Sequence, residues 1–372
     1  MSLSALPGVE QLNTDWLSEA VGHTVSSFEV QDLAGEGYNS RLYRVRVRYT
    51  GNDVDAPPSY ILKLMSDDPI GDAITNNNEV FREVASYQHL GDDLESVVPH
   101  AYVATDDKAS GQLTLLLADL GEIPHKPFRA DLTTSLEAVR AIAKIHAHFW
   151  EADILDLQVF EPNDLDLDEV IRTITESLAI SKQREVLHPY LDECMQHVRA
   201  MAPRLLALMR NFDNRASTLI HGDFHCRNIH TVGDRLMIFD WQNSQRGSAV
   251  TDIAYWIMTS VEVEDRPQFE PKLLTAYHEA LVAAGVDDYS EDQLNADYRN
   301  QASQMVTQIY CYLSLIDLPD DEIGDFLNRI DAVAQDIGFR RQLRVARVIV
   351  PVAAGIQRVF RMFRGGRRHQ SS

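Results

Sequence analysis

The sequence LIHGDFHCRNIHTVGDRLMIFDWQ, residues 219–242, sets polar side chains among apolar ones. Such polar groups are costly to bury unless they have partners. The groups concerned are His221, Asp223, His225, Arg227, Asn228 and Asp240. Two carboxylates and an amide at this spacing do not fit an ordinary core strand, so we infer that they share a site.

Glycine and turn residues predict how this stretch folds. Gly222 follows an apolar run and frees the backbone for a tight loop. Gly233 and Asp234 lie between two short apolar runs, which is the signal of a β-hairpin. Because a hairpin returns the chain to its starting point, we expect Asp240 to lie near Asn228.

The side chains of this stretch have the chemistry of a phosphoryl-transfer site. Carboxylate and amide oxygens suit Mg²⁺, which takes few protein ligands and completes its shell with water and phosphate oxygens. Asn228 and Asp240 are therefore the candidate metal ligands. Asp223 is then free to act as the catalytic residue, which orients a hydroxyl group and accepts its proton.

The spacing also resembles a known catalytic segment. Kinases carry H-R-D-x-x-x-x-N followed by D-F-G, and this chain has His221, Asp223, Asn228 and Asp240 in matching order. The pattern resembles the aminoglycoside phosphotransferase and choline kinase superfamily, whose fold is protein-kinase-like. With GEGYNSRLYRV, FREVASYQHL and FDWQ, the chain is most similar to the ecdysteroid-kinase-like and CHK-kinase-like branch. By motif, the resemblance covers roughly residues 26–260.

Hydrophobic periods along the chain agree with the fold that this resemblance implies. LYRVRVRY and YILKLM read as strands, and FREVASYQHL has a helical period. Further helical periods occur at 168–181, 188–210, 267–285, 292–314 and 322–363.

From the resemblance and these periods together we predict an α+β, protein-kinase-like, two-lobed fold. Residues 1–117 form a small β-rich N-lobe with an N-terminal helix, an antiparallel sheet and one helix that pairs a lysine. Residues 118–372 form the hinge and a larger, mainly helical C-lobe with the catalytic loop and acceptor site.

The resemblance implies a nucleotide site upstream of the catalytic loop. A Gly-rich turn would cover the phosphates of ATP, the lysine of YILKLM would contact them, and the LLLADLGE connector would bind adenine through its backbone. The implied residues are Gly35, Gly37, Ser40, Lys63, Glu83, Ala118 and Leu120. Glu83 is the expected partner of the lysine, because the family has Tyr four residues later, as Tyr87 is here. Glu79, one turn earlier, is the alternative.

Several further residues near these motifs have two interpretations. His225 and Arg227 either contact phosphate or brace the catalytic loop, and bracing is favoured. Asp252 resembles the family's aspartate that begins the next helix and stabilises the catalytic loop. His146 and His148, spaced i and i+2 on a helix, face apart, and we expect both to be packing residues rather than metal ligands.

Composition limits the classes of partner. The chain has 372 residues and a formal net charge of −22, which repels nucleic acid. No run of 18 apolar residues predicts a membrane span, and the first residues lack the pattern of a secretory signal. Three scattered cysteines argue against a disulfide framework or a structural zinc site. We therefore expect a cytoplasmic protein with no nucleic-acid or membrane partner; the sequence does not indicate an oligomeric state.

The resulting functional hypothesis is an ATP- and Mg²⁺-dependent kinase of a small-molecule hydroxyl acceptor. Aminoglycosides, aminosugars and larger hydroxylated natural products stay open as acceptors. The acidic segment 151–169, the helices at 255–260 and 300–314, and the aromatic residues Trp256, Tyr310 and Tyr312 are candidates for the acceptor site. Little room for an activation segment between Asp240 and Asp252 argues against a protein kinase. A catalytically silent nucleotide-binding scaffold is the alternative, although all four expected catalytic positions are filled.

Overall fold

The computed structural model describes residues 3–33, 40–51, 56–65, 79–162, 217–311 and 319–338. These residues fall into two compact units. The first contains the described residues up to 162 together with 217–261 and 265–294. The second contains residues 262–264 and the described residues beyond 294.

A five-stranded antiparallel sheet organises the first unit. Its strands are β1 (Val25–Asp32), β2 (Ser40–Tyr49), β3 (Ser59–Met65), β4 (Ala101–Asp107) and β5 (Gln112–Ala118). They lie in the order β1-β2-β3-β5-β4, and every neighbouring pair is antiparallel. The predicted strands LYRVRVRY and YILKLM are confirmed as β2 and β3. In the register, Lys63 lies opposite Leu42 on one side and Leu115 on the other, so it sits in the middle of the sheet.

Two helices accompany this sheet. The first, α1 (Thr14–Val21), begins where the side chain of Asn13 accepts a hydrogen bond from a backbone N–H of its first turn. Its buried Leu17 belongs to the same apolar core as Leu62 of β3. The second, α2 (Glu79–Leu90), matches the predicted FREVASYQHL helix.

The remaining strands of the first unit are short and lie within or next to residues 219–242. They are β6 (Ser217–Ile220), β7 (Ile229–Val232), β8 (Arg235–Ile238) and β9 (Gln245–Ser248). β6 pairs with β9, and β7 pairs with β8 from Ile229 opposite Ile238 to Val232 opposite Arg235. Gly233 occupies the turn with a left-handed backbone, φ 64°. The predicted hairpin is therefore confirmed.

Longer helices follow α2 along the chain. They are α3 (Leu132–His148), α4 (Val250–Ser260), α5 (Arg266–Ala283), α6 (Glu291–Cys311) and α7 (Asp320–Asp336). Short 3₁₀ helices are Val9–Gln11, Asp92–Leu94, Asp153–Asp156, Gln158–Phe160, Cys226–Asn228 and Trp241–Asn243. The helices predicted at 168–181 and 188–210 lie outside the described residues. Among the helices that are described, none combines the length and apolarity needed to cross a membrane.

Candidate active site

Lys63 connects the sheet to two acidic residues that are distant in sequence. Its ammonium lies 2.6 Å from Oε2 of Glu83 on α2 and 3.1 Å from Oδ1 of Asp240, which follows β8. The side chains of Lys63 and Glu83 are buried, whereas that of Asp240 is 28% exposed. The structure thus brings together the predicted lysine and its preferred partner. Glu79 begins α2, but its side chain lies outside the described part of the chain.

The electrostatics of this cluster keep the lysine charged. Burial opposes the charge, but the neighbouring carboxylates of Asp240 and Glu83 outweigh it and raise the pKa of Lys63. Burial also raises the pKa of Glu83, although the Lys63 ammonium and the Trp241 backbone N–H act against that rise. One ammonium faces two carboxylates, so the ionised cluster carries a net negative charge.

The β7–β8 hairpin fixes the position of Asp240. The N–H of Phe239 donates to the carbonyl of Asn228 at 3.1 Å. The carbonyl of Phe239 accepts a hydrogen bond of 2.9 Å from Nε2 of His221. Asp240 follows with a left-handed backbone, φ 67° and ψ 65°, which is uncommon for a residue other than glycine. The backbone next to Asp240 is therefore held from both sides by the loop that carries Asp223.

Asp223 lies in the loop after β6 and is surrounded by hydrogen-bond donors. Its Oδ2 is 3.5 Å from Nε2 of His225 and 3.4 Å from the amide nitrogen of Asn228, and the hydroxyl of Tyr255 also donates to the carboxylate. Burial alone would raise the pKa of Asp223, but the imidazoles of His225 and His221 and the hydroxyl of Tyr255 lower it to about 2. Asp223 is therefore a well-oriented, ionised and weak base.

The carboxylate of Asp252 fixes the start of this loop through backbone hydrogen bonds. As the third residue of α4, it accepts the backbone N–H of His221 at 2.7 Å and that of Gly222 at 3.0 Å. The loop-stabilising role expected for Asp252 matches these contacts. Nε2 of His146 lies 3.0 Å from the same carboxylate, and Nδ1 of His146 lies 2.7 Å from the hydroxyl of Tyr277. Asp252 and His146 are completely buried, so the loop rests on a hydrogen-bonded chain that extends to α5.

The expectation of a packing residue holds for the buried His146, which is hydrogen-bonded as well, and is wrong for His148. His146 is a hydrogen-bonded bridge between Asp252 and Tyr277, because a buried imidazole needs partners for both ring nitrogens. His148 is exposed, with its ring edge-on to Phe149. The two histidines do face apart, as the helical spacing predicts.

Two close contacts pack the turn after Asp240 against its neighbours. Gly222 has φ 81°, and a Cβ placed there would lie 2.2 Å from the carbonyl oxygen of Asn243. The buried hydroxyls of Ser86, on α2, and Ser244 lie 2.6 Å apart. The helix that carries Glu83 and the loop that carries Asp223 both meet this turn directly.

Arg227 braces the loop that carries Asp223. Its Nε donates to the carbonyl of Lys126 at 2.6 Å, and its guanidinium lies over the ring of Phe128 at 4.0 Å. The ring of Phe128 meets His225 edge-on, with centroids 5.0 Å apart. Of the two interpretations of Arg227 and His225, these contacts favour bracing.

The other predicted site residues are placed as follows. Gly35 and Gly37 lie outside the described residues. Ser40 is the buried first residue of β2, opposite Met65 of β3. Ala118 ends β5, where its N–H donates to the carbonyl of His100 at 2.8 Å, and the half-buried Leu120 follows in the connector.

Trp256, a candidate for the acceptor site, is completely buried in α4, so it packs in the core and does not line an open acceptor pocket. The side chains of Tyr310 and Tyr312 lie outside the description.

The donor set fits the Mg²⁺ assignment. The amide nitrogen of Asn228 donates to Asp223, so its amide oxygen is the atom left for a cation. Lys63 supplies one positive charge and Glu83, Asp240 and Asp223 supply three negative ones, so the ionised group favours a divalent cation. Among the described residues, no cluster of three or more His, Cys, Asp or Glu forms an alternative metal site. Two protein ligands suit Mg²⁺, which retains several waters.

Sequence reasoning missed Tyr255 and Tyr277, and it named His146 without its hydrogen-bonding role. Tyr255 had a usable signal, because it lies three residues after Asp252 and therefore on the same face of one helix. Tyr277 had none, since its partner His146 is 131 residues away.

Comparisons with known proteins show which fold and which family this chain resembles. A choline kinase from Cryptosporidium parvum Iowa II aligns at 12% identity and a TM-score of 0.50, covering 94% of this chain and 96% of its own. A choline kinase from Streptococcus pneumoniae aligns at 14% identity and a TM-score of 0.49, covering 86% of this chain and 98% of its own. No curated protein sequence matches the chain.

The likeness to the Cryptosporidium parvum structure shows the fold, and the predicted α+β, protein-kinase-like fold is confirmed. The profile of the ecdysteroid kinase-like family matches residues 34–286, which is more than half of the chain. The predicted resemblance is thus confirmed, and the chain belongs to the ecdysteroid kinase-like family.

Proposed function

We propose that this chain is a kinase that transfers the γ-phosphoryl group of ATP to a hydroxyl group of a small molecule. Membership of the ecdysteroid kinase-like family supports a kinase in general. The observation that carries the proposal is the Lys63 ammonium, which contacts both Glu83 and Asp240. A structural ion pair does not need a third, partly exposed carboxylate, whereas phosphoryl transfer needs a positioned cation next to a metal ligand.

The sheet supplies the nucleotide side of the proposed reaction. Lys63, held by Glu83, binds phosphate oxygens, and the backbone of Ala118 and Leu120 binds the base. The turn with Gly35, Gly37 and Ser40 covers the phosphates. A boundary between a small lobe, 1–117, and a large lobe, 118–372, is part of the same proposal.

Asn228 and Asp240 would hold Mg²⁺, which neutralises the charge of the phosphate oxygens when it is bound. Asp240 is suited to this role because its carboxylate is the most exposed member of the Lys63 cluster. The hairpin sets Asp240 beside the Asn228 segment through the bonds at Phe239.

Asp223 carries the acceptor side of the reaction. The acceptor oxygen forms a bond to the γ-phosphorus, the bond from that phosphorus to the bridging oxygen breaks, and ADP leaves. The hydroxyl proton passes to the Asp223 carboxylate. With a pKa of about 2, Asp223 is too weak a base to ionise the hydroxyl early, so its main contribution is orientation. That fits a loose transition state, in which positioning dominates.

The acceptor class is proposed from charge and from the limited space after Asp240. Aminoglycosides, aminosugars and other hydroxylated natural products are the candidates. The formal net charge of −22 favours acceptors with amino groups and disfavours nucleic-acid partners. A cytoplasmic location is part of this proposal.

The proposal is tested by Mg-ATP thermal shift and by ADP release across a panel of aminoglycosides, aminosugars, amino alcohols and polycyclic alcohols. Asp223→Asn should lower kcat for the best acceptor by about 10³-fold, because the amide lacks the charge that orients the hydroxyl group and cannot take its proton. The shift with Mg-ATP should persist. Asp234→Asn, at an exposed residue of the β7–β8 turn, is the matched control and should retain full activity.

Two outcomes would count against the proposal. Undiminished turnover by Asp223→Asn would remove Asp223 from the reaction. Nucleotide binding without ADP release from any acceptor of the panel would favour the silent scaffold instead.

A further inference from the structure

Three arginines on β2 share one face of the sheet but have different environments. Arg44, Arg46 and Arg48 alternate with apolar residues, so their side chains point to the same side. Arg46 and Arg48 are exposed, whereas Arg44 is only 6% exposed. A buried guanidinium is costly unless its donors are paired, so its partners indicate why it is there.

The connector after β5 supplies those partners. Nε of Arg44 donates to Oδ2 of Asp119 at 2.8 Å, and Nη2 lies 3.3 Å from Oδ1 of the same carboxylate. Nη2 also donates to the carbonyl of Gly121 at 2.7 Å, and Nη1 donates to the carboxylate of Glu122. The rigid fork of one side chain therefore binds three residues of a four-residue segment.

The carboxylate of Asp119 also links the connector to β3. Its carboxylate accepts the hydroxyl of Ser59 on β3 at 2.7 Å and the N–H of Gly121 at 2.9 Å. Its side chain is only 6% exposed. Gly121 has a left-handed backbone, φ 87°, so the connector makes a sharp bend at the point that the carboxylate and the guanidinium both hold.

The position of Arg44 relates this connection to the proposed nucleotide site. In the antiparallel register, Arg44 lies opposite Ile61 and Leu42 lies opposite Lys63. Paired residues of neighbouring strands point to the same face, so Arg44 and Lys63 share it. They are separated by two residues along the strands, which is roughly 7 Å. Arg44 lies toward the connector, and Lys63 lies toward the acidic cluster.

We propose that Arg44 is a positioning residue that fixes the backbone of the 118–122 connector for recognition of the nucleotide base. This inference rests on the proposed kinase function, because the connector matters for binding only if a nucleotide lies against it. Arg44 does not itself contact the nucleotide. It acts through Asp119 and Gly121, whose places determine where the backbone groups of Ala118 and Leu120 point.

The chemistry of the contact requires arginine. A lysine at position 44 would keep the charge but would replace a planar fork with a single point, and it would lose the paired bonds to Asp119 and Gly121. An uncharged side chain would leave the buried Asp119 carboxylate with only neutral donors. Methionine removes the link between the connector and β2 and lysine weakens it, while Lys63 and its partners stay in place.

The experiment compares Arg44→Met and Arg44→Lys with Arg48→Met. Arg48 is the matched control, because it lies on the same strand and face but is exposed. For each variant, Kd and KM for Mg-ATP, KM for the acceptor and kcat are measured. Hydrogen exchange of peptides that cover residues 118–122 is measured without nucleotide.

Arg44→Met should raise Kd and KM for Mg-ATP by about tenfold, the effect of losing one charged hydrogen-bonded pair. Its kcat should stay within about threefold, and KM for the acceptor should not change. Arg44→Lys should lie between the wild type and Arg44→Met. Exchange at 118–122 should become faster in both Arg44 variants and should be unchanged in Arg48→Met.

An unchanged KM for Mg-ATP in Arg44→Lys would overturn the inference, and so would equal losses for both substrates, which indicate general damage to the fold. If Arg44→Met does not fold, Arg44→Lys decides the question alone. A wild type that does not bind Mg-ATP would overturn the proposed function and, with it, the nucleotide role of Arg44. In that case faster exchange at 118–122 would still identify the connection as structural, so the two failures are distinguishable.

Discussion

Lys63 and Arg44 are two buried cations on one face of the same sheet, and their surroundings differ. Each contacts two acidic residues. The partners of Arg44, Asp119 and Glu122, belong to one short connector. The partners of Lys63 come from α2 and from the turn after β8, which are far apart in sequence.

Under the proposed function, this difference distinguishes a cation that holds a connector in place from one that binds phosphate. The Arg44 fork binds along fixed directions, and its partners offer carboxylates and a carbonyl that match them. The Lys63 ammonium is a compact charge with freely rotating donors, and one of its partners, Asp240, is partly exposed. We therefore expect Lys63, and not Arg44, to exchange an acidic partner for a phosphate oxygen without movement of its strand.

The most severe test of this contrast is Lys63→Met. We expect kcat to fall by about 10³-fold or more, because a cation that stabilises the transferred phosphoryl group is lost. KM for the acceptor should change little. Steady-state ADP release measures the effect, and Arg48→Met again serves as the control. Activity within tenfold of the wild type would show that Lys63 is a structural cation like Arg44.

Glu83→Gln should give an intermediate effect. The amide keeps the size of the side chain but removes the charge that holds the ammonium, so Lys63 should move toward Asp240. We expect kcat to fall by about tenfold to a hundredfold, the cost of a misplaced catalytic group. Kinetics at saturating Mg-ATP measure it. A loss confined to KM for Mg-ATP would instead assign Glu83 the kind of role that we propose for Arg44.

The smallest expected effect concerns Asp131, an exposed carboxylate. Its replacement gives a reference value against which the changes in the two buried clusters are compared. Asp131 precedes α3, and its side chain accepts the N–H of Thr134 at 2.8 Å. Asp131→Ala should lower the free energy of unfolding by about 1 kcal/mol at pH 7, with no change in KM or kcat. Asp131→Asn is the matched control, because asparagine is an equally good cap.

This cap should also depend on pH in a defined direction. Hydrogen bonds from Thr134 lower the pKa of Asp131, so its stabilising charge is present above the unfolded pKa of about 3.9. The stabilisation is lost as the pH falls through the lower folded pKa. Thermal unfolding should therefore show a constant difference between the wild type and Asp131→Ala from pH 7 to pH 5, and a smaller one below about pH 3.5. A difference that does not shrink would mean that the cap acts without its charge.

Local sequence patterns were enough to predict much of the sheet and the core of the candidate site. Alternation identified β2, the Gly233 turn identified the hairpin, and the spacing of Asp223, Asn228 and Asp240 identified the segment proposed to be catalytic. These features depend on residues close together in the chain, where periodicity and turn chemistry act directly. Pairing Lys63 with Glu83 required the family resemblance, because the helix and the strand meet only in the folded protein.

Contacts between distant residues could not be predicted in the same way. Arg44 looks like Arg46 and Arg48 in the sequence, and only the connector, 75 residues later, distinguishes it. His146 looked like a packing residue because its partners Asp252 and Tyr277 lie more than 100 residues away. In both cases a buried polar group finds its partner through the tertiary fold, which residue type and periodicity do not encode.

The missing side chain of Gly222 has a consequence for how this sequence can vary. Even a methyl group there would lie 2.2 Å from the carbonyl oxygen of Asn243, closer than real Cβ atoms approach. To accept it, the chain would have to move either the residue before Asp223 or the turn after Asp240. Residue 222 therefore sets the distance between the loop that carries Asp223 and the turn after Asp240. No substitution of this glycine leaves both of these aspartates in place.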